Sequence, residues 1–184
     1  MEEPVTSYQQ WIEKGYEAFA RSGPDGIKVQ TLAREMGVSK SSFYHHFGDQ
    51  QSFVELLLEE HAHIMKQFAP EIRLCKAIDP DFIDLVMRYK TIILFQQQLR
   101  IHSENTDFQR CYEGVTDGIL KEVVDVWAKY MGVTSDLDLA RKLYLMVITL
   151  FYERVREHTF SKEWIHGMLA EVREMCDKVV KAKS

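Results

Sequence analysis

Between Ser39 and His46 the chain sets out seven hydrogen-bonding side chains: Ser39, Lys40, Ser41, Ser42, Tyr44, His45 and His46. Hydroxyls, an ammonium and imidazoles can all donate to phosphate oxygens, and those at the start of a short helix can also reach base edges. The adjacent pair His45 and His46 could instead hold a metal, but neighbouring helical residues point about 100° apart and no third ligand is close in sequence. The other histidines, His61, His63, His102, His158 and His166, are dispersed and compose no catalytic or metal centre. His158 and His166 could meet only across a bend near Thr159–Phe160. No nucleophile elbow, phosphate loop or paired-carboxylate motif occurs. The chemistry on offer is binding, so neither an enzyme nor a cofactor is expected.

Such donors are useful only if a helix carries them outward. The spacing of Val29, Leu32, Ala33 and Met36 predicts a helix over about residues 29–36, which Gly37 closes. Ser39 is placed to cap a second short helix over about 40–47, in which Phe43 and Phe47 lie one turn apart. With those two rings inward, Ser41 and His45 fall on the opposite side and Ser42 and Tyr44 flank them. Two short helices crossing at a glycine-containing turn make a helix-turn-helix, whose second helix fits the major groove of DNA. From Lys28 to Phe47 the basic residues are Lys28, Arg34 and Lys40 against the single acid Glu35, a positive patch on a chain of net charge −5. That overall charge argues against a protein that coats nucleic acid indiscriminately.

FARSG at the end of the first predicted helix, followed by VQTLAREMGVSKSSFYHHF, closely resembles the N-terminal domain of the TetR family of bacterial transcriptional regulators over about the first 50–55 residues. The family favours an LAxxxGVSxxxLYxHF-like pattern. The resemblance implies that Tyr44 and His45 contact DNA phosphates, that residues 39–42 read the operator, and that Lys28 and Gln30 anchor the backbone. The chain departs from the pattern in three places. Gln50 and Gln51 stand where a Lys-Glu pair commonly opens the fourth helix, His45 stands where a second Tyr or Trp is usual, and Lys28 replaces the usual capping Ser or Thr. Losing a phosphate-contacting lysine predicts weaker, less salt-dependent binding.

The remaining periodicity is helical throughout, which predicts an all-α fold. Tyr8, Ile12, Tyr16 and Phe19 share one face of a first helix, with Ser7 and Gln10 suited to a capping box and Ser22–Gly26 ending it. Asp49 can cap a fourth helix whose buried stripe is Phe53, Leu56, Leu57, Ile64 and Phe68 and whose end is expected near Pro70. A helix from Pro80 to about Arg100, capped by Asp79, follows. Thr106 with Gln109 suggests a further start, and Gly114 and Gly118 predict a break near Gly114 in the stretch to Met131. Ser135 with Asp138 is read as the cap of a helix to about His158, before a last one over about 161–180. The expected division is a DNA-binding domain over 1–48 and a helical ligand-binding and dimerisation domain over 49–184.

Apolar residues make up 46% of the chain and charged residues 28%, ordinary globular usage. The longest apolar runs fall short of the roughly 20 residues a membrane span needs. MEEPVTSYQQ lacks the basic start and apolar stretch of a secretory signal, so a cytoplasmic location is expected. Three widely spaced cysteines, Cys75, Cys111 and Cys176, fit reduced thiols rather than a disulfide framework.

Leu137–Phe151 is apolar nearly all round, and the last helix carries a broad stripe of Trp164, Met168, Leu169, Val172, Met175 and Val179. TetR resemblance implies that the last two helices, about 136–158 and 161–180, pair with a second copy to form a homodimer. It also implies an unidentified small-molecule effector held between the operator-binding and dimerising parts. Tyr89, Phe95, Gln96, Tyr112 and Trp127 are the candidates to line that site. A ligand-responsive homodimer on a palindromic double-stranded operator, acting as a repressor, is the expected function. A helical adaptor that has lost DNA binding is the alternative, and Gln50 and Gln51 are its argument.

Overall fold

The computed structural model describes residues 7–181, and the described residues are helical with no strand. The helices are α1 (Ser7–Ser22), α2 (Val29–Met36), α3 (Lys40–Phe47), α4 (Gln50–Leu74), α5 (Ile83–Arg88), α6 (Lys90–Ile101), α7 (Thr106–Met131), α8 (Leu137–Arg154) and α9 (Lys162–Lys181). A 3-10 turn, Gly23–Gly26, follows α1, and a π turn, Ile78–Phe82, precedes α5. The residues pack as two compact units: residues 7–66 with 91–114, and residues 67–90 with those from 115 onward.

In the first unit the core is aromatic. Trp11, Phe19, Phe43, Phe53 and Phe95 are fully buried. Phe43 meets Trp11 of α1 and Phe53 of α4 edge to face, each with ring centroids 5.1 Å apart, and Phe47 lies 4.6 Å from Phe53. Such pairs add about 0.5–1.5 kcal/mol each beyond their buried area. Gly15 makes the approach of α4 possible, since a Cβ there would sit 2.3 Å from the Phe53 ring. The C-terminal turn of α1 needs Gly23 with φ at +62°, and a Cβ there would strike the His102 ring at 2.5 Å.

The second unit is built on α5, α7, α8 and α9. Trp127 donates from its indole nitrogen to the Ala140 carbonyl at 3.1 Å, which fixes α8 on α7. Phe151, Phe160 and Trp164 form edge contacts between α8 and α9, and Arg154 bonds Glu171 at 2.8 Å. Tyr144, Val147 and Phe151 are the inward face of α8, and Met168, Leu169 and Val172 that of α9. Met175 is half exposed, and the Val179 side chain lies outside the described residues.

Several expected helix ends are corrected. α4 does not stop near Pro70 but continues to Leu74. Pro70 removes the N–H partner of the Lys66 carbonyl, yet both residues are exposed, where water can replace it, while buried Phe68 and Ile72 hold the opposite face. No break occurs at Gly114. Gly114 and Gly118 have open space around them, and the roughly 1 kcal/mol each costs is small beside the burial of Val115, Ile119, Val123 and Trp127.

The expected helix from Pro80 to Arg100 is instead divided at Tyr89, which leaves helical geometry at φ −104° and ψ 33°. Nothing in the local sequence breaks it. The Tyr89 hydroxyl donates to the Glu71 carboxylate, its ring packs 4.9 Å from Phe68, and Lys90 donates to the Glu157 carbonyl at 2.8 Å. Asp79 does not cap this segment: its carboxylate pairs with His166 at 3.2 Å, and Asp81 accepts from the Lys76 and Ala77 amides. Two other caps fall one residue away from expectation. Asn105 accepts from the amides of Asp107 and Phe108 at the start of α7, and Asp136 accepts from Leu139 at the start of α8. The Ser7 hydroxyl lies 3.1 Å from that of Ser42, which ties the start of α1 to α3. The three cysteines are free thiols, and burial pushes Cys111 up to about 11.

Candidate nucleic-acid interface

The bend between α2 and α3 is set by backbone requirements legible in MGVSK. Gly37 adopts φ 69°, and its N–H together with that of Val38 caps the last carbonyls of α2, Ala33 and Arg34. Ser39 is extended at φ −79° and ψ 145°, and its hydroxyl accepts from the Ser42 amide at 3.3 Å, starting α3. Gly48 at φ 74° ends α3, and Asp49 accepts from the Ser52 amide at 2.8 Å to begin α4. That bond holds the Asp49 carboxyl below its ordinary range.

α3 is anchored through one face and open on the other. Phe43 and Phe47 are buried, whereas Ser39, Lys40, Ser41, Tyr44, His45 and His46 are exposed. Tyr44 is 46% exposed, and the Lys40 ammonium lies 5.6 Å from its ring centroid, a cation–π contact that steadies both side chains. Ser42 is turned inward instead. It is half-buried, and its hydroxyl accepts from the Trp11 indole N–H at 3.3 Å, so it ties α3 to α1. His46 packs edge-on to Tyr8 at 5.9 Å, near the C-terminal end of α3.

Lys28 occupies the N-cap position of α2 without a side-chain cap, which leaves its ammonium exposed beside Gln30. Among the described residues no ion pair engages Lys28, Arg34 or Lys40. Their charges remain available to an anion. Gln50 and Gln51 are exposed at the first turn of α4, and the Gln51 amide donates to Glu55 at 3.0 Å. Exposed donors on one face of a helix, with unneutralised cations beside it, can bind a phosphate backbone and present side chains to a groove.

The effector candidates divide between the units. Phe95, Gln96 and Tyr112 belong to the first, where Phe95 is stacked at 4.3 Å on both Tyr16 and Phe19 and at 4.5 Å on His61. Gln96 accepts from His61 at 2.8 Å and donates to the Tyr112 carbonyl at 2.9 Å. Tyr112 is half-buried, with the Arg100 guanidinium 6.0 Å from its ring. Tyr89 and Trp127 belong to the second unit, in the contacts described above.

His61 is the residue that the sequence reading passed over. The buried stripe of α4 is Phe53, Leu57, His61, Met65, Phe68 and Ile72, while Leu56 and Ile64 are only half-buried. Its steps of four, four, four, three and four were visible in the sequence, with a histidine at the centre of an apolar face.

No curated protein matches the chain. Residues 11–57 match the family model of the bacterial regulatory proteins of the tetR family, covering α1 beyond its first turn, α2, α3 and the start of α4. Over this N-terminal segment the chain is similar to the DNA-binding part of the tetR family of bacterial regulatory proteins.

Proposed function

We propose that the chain represses transcription by binding a palindromic operator as a homodimer and releases it when a small-molecule effector binds. The observation that carries the DNA-contact part is the outward face of α3, where Lys40, Ser41, Tyr44 and His45 are exposed while Phe43 and Phe47 anchor the helix. In this reading Ser39, Lys40 and Ser41 approach bases, Tyr44, His45 and His46 approach phosphates, and Lys28 and Gln30 hold the backbone from α2. Ser42 contributes by fixing α3 to Trp11. The functional division is a reading head over 1–48 and an effector-binding and dimerising part over 49–184.

Homodimerisation is supported by the outer face of α8. Leu139 and Met146 are 41% and 51% exposed, and half-buried Leu143 and Leu150 complete their stripe at steps of four, three and four. An apolar helix face of this kind is stabilised by a second copy, and a two-fold dimer places two recognition helices on two half-sites. α9 is the proposed second member of that interface. Half-sites one turn apart need the recognition helices about 34–36 Å apart, so an effector that favours another separation weakens binding. A differential affinity of about 1.4 kcal/mol between the two states changes occupancy tenfold.

Tyr89, Phe95, Gln96, Tyr112 and Trp127 are proposed to respond to the effector. Phe95, Gln96 and Trp127 are buried and engaged, so a molecule that reaches them must part their contacts, which couples its binding to rearrangement. Among the described residues no helix is long and apolar enough to cross a membrane. The proposed place of action is the cytoplasm, with the chromosome. The reading is tested by selecting duplexes from random sequence on the purified protein and measuring their binding by fluorescence anisotropy. Recovery of a two-fold sequence bound by a dimer is expected, and an absence of palindrome preference at every salt concentration contradicts it.

A further inference from the structure

A continuous chain of hydrogen bonds, buried from Tyr16 to Gln96, crosses the first unit. The Tyr16 hydroxyl on α1 lies 2.6 Å from His61 Nδ1 on α4, His61 Nε2 lies 2.8 Å from Gln96 Oε1 on α6, and Gln96 Nε2 lies 2.9 Å from the Tyr112 carbonyl on α7. His61 is 0% exposed and Gln96 1%. The chemistry of the last member fixes every direction. A carbonyl only accepts, so the Gln96 amide nitrogen faces it, the Gln96 oxygen accepts from His61 Nε2–H, and His61 Nδ1 accepts from the tyrosine hydroxyl. One neutral tautomer satisfies all three bonds, and the other would leave two buried acceptors opposed.

The surroundings favour that neutral form. Phe95 stacks on the imidazole, Glu60 and the thiol of Cys111 lie toward Tyr16, and among the described residues no carboxylate bonds the ring. Burial holds His61 down to about 4 and raises the Tyr16 hydroxyl well above its ordinary value. Five residues before Tyr16 on the same helix, Trp11 bonds Ser42 and packs against Phe43 of α3. The hydrogen-bonded chain from the α7 backbone therefore ends on α1, the same helix whose Trp11 holds α3.

We propose that His61, as its neutral Nε2–H tautomer, is a positioning residue for DNA binding that holds α1, and through Trp11 the recognition helix α3, in register with α4, α6 and α7. The proposal rests on the reading of α3 as the DNA-contacting helix. His61 touches no DNA in it. The hydrogen bonds act by direction: each fixes one helix's rotation against the next, which stacking of rings alone leaves looser.

Tyr16→Phe removes one bond and keeps the ring on Phe95, and Gln96→Leu cuts the chain at its other end, so the test survives if one variant fails to fold. Val123→Ala, a buried truncation in the second unit, controls for lost stability alone. Each is assayed against the duplex selected on the wild-type protein, at a temperature where circular dichroism reports the folded state. The expected result is an affinity about tenfold weaker for Tyr16→Phe or Gln96→Leu and unchanged for Val123→Ala. In the wild type, nitrogen NMR should find His61 protonated on Nε2 alone at neutral pH. Wild-type affinity in the folded chain-cutting variants, an equal loss in Val123→Ala, or a proton on Nδ1 overturns the inference while leaving the DNA reading intact. A wild type that binds no duplex overturns the DNA reading, and the inference with it.

Discussion

α3 and α8 each bury one face and expose another, but what they expose differs. Outward on α3 are an ammonium, hydroxyls, a phenol and imidazoles, all able to exchange water for phosphate oxygens. α8, beside its exposed charged residues, leaves out a stripe of Leu139 and Met146 flanked by half-buried Leu143 and Leu150, which gains nothing from water and gains from another apolar surface. Burial alone does not distinguish the two helices. The chemistry left over after packing does, and in the proposed reading it gives them different partners: nucleic acid for α3 and a second copy for α8.

That contrast can be broken one face at a time. Met146→Asp should have the largest effect, because the two-fold would bury two unpaired carboxylates at a cost of about 3 kcal/mol or more. Sedimentation should report a monomer with native helicity. A dimer that persists unchanged would place the interface elsewhere.

Acid should act next, and on the first unit. Because the folded state holds His61 at about 4 against an ordinary 6.5, the unfolded chain binds the extra proton between those values. Stability from this group is therefore complete above pH 6.5 and falls by about 3 kcal/mol as pH drops to 4. Denaturant titrations across that window should show a proton uptake on unfolding that His61→Gln lacks. Equal slopes in the two proteins would mean that His61 is not held neutral by its site.

Tyr44→Ala should cost about 1–2 kcal/mol of DNA binding, in the range of one charge-assisted phosphate contact, and leave assembly and melting temperature unchanged. Gln50→Lys should have the smallest effect at physiological salt. If position 50 faces phosphate, it raises affinity a few-fold and steepens the salt dependence by about 0.9 in log–log slope. An unchanged slope would put that side chain off the backbone.

The parts of the fold legible in the sequence were those governed by local rules. Gly37 and Gly48 mark left-handed backbone that few other residues adopt as well, Ser39 supplies a hydroxyl cap, and the end of α2 and both ends of α3 fall where those residues require. The helix divided at Tyr89 and the helices that run through Pro70 and Gly114 were not legible, because contacts distant in sequence decided each of them. Glu71 and Phe68 hold Tyr89 out of helical geometry, and apolar burial carries α4 and α7 through residues that weaken a helix.

The donors of α3 could be read directly, since exposed side chains follow helix phase. Ser42 could not, because its inward turn depends on Trp11, a residue 31 positions away. His61 lay between the two cases. Its place in the apolar stripe was available from spacing, but its partners Tyr16 and Gln96 are 45 and 35 positions away.

The central claim, that α3 contacts an operator in each of two paired subunits, is tested most directly by anisotropy of wild type and Tyr44→Ala on the selected duplex and a scrambled one over a salt series. The wild type should prefer the two-fold duplex, weaken as salt rises, and lose about tenfold in affinity on removal of the Tyr44 side chain. Equal binding of both duplexes by the wild type, or unchanged affinity in Tyr44→Ala, would contradict it.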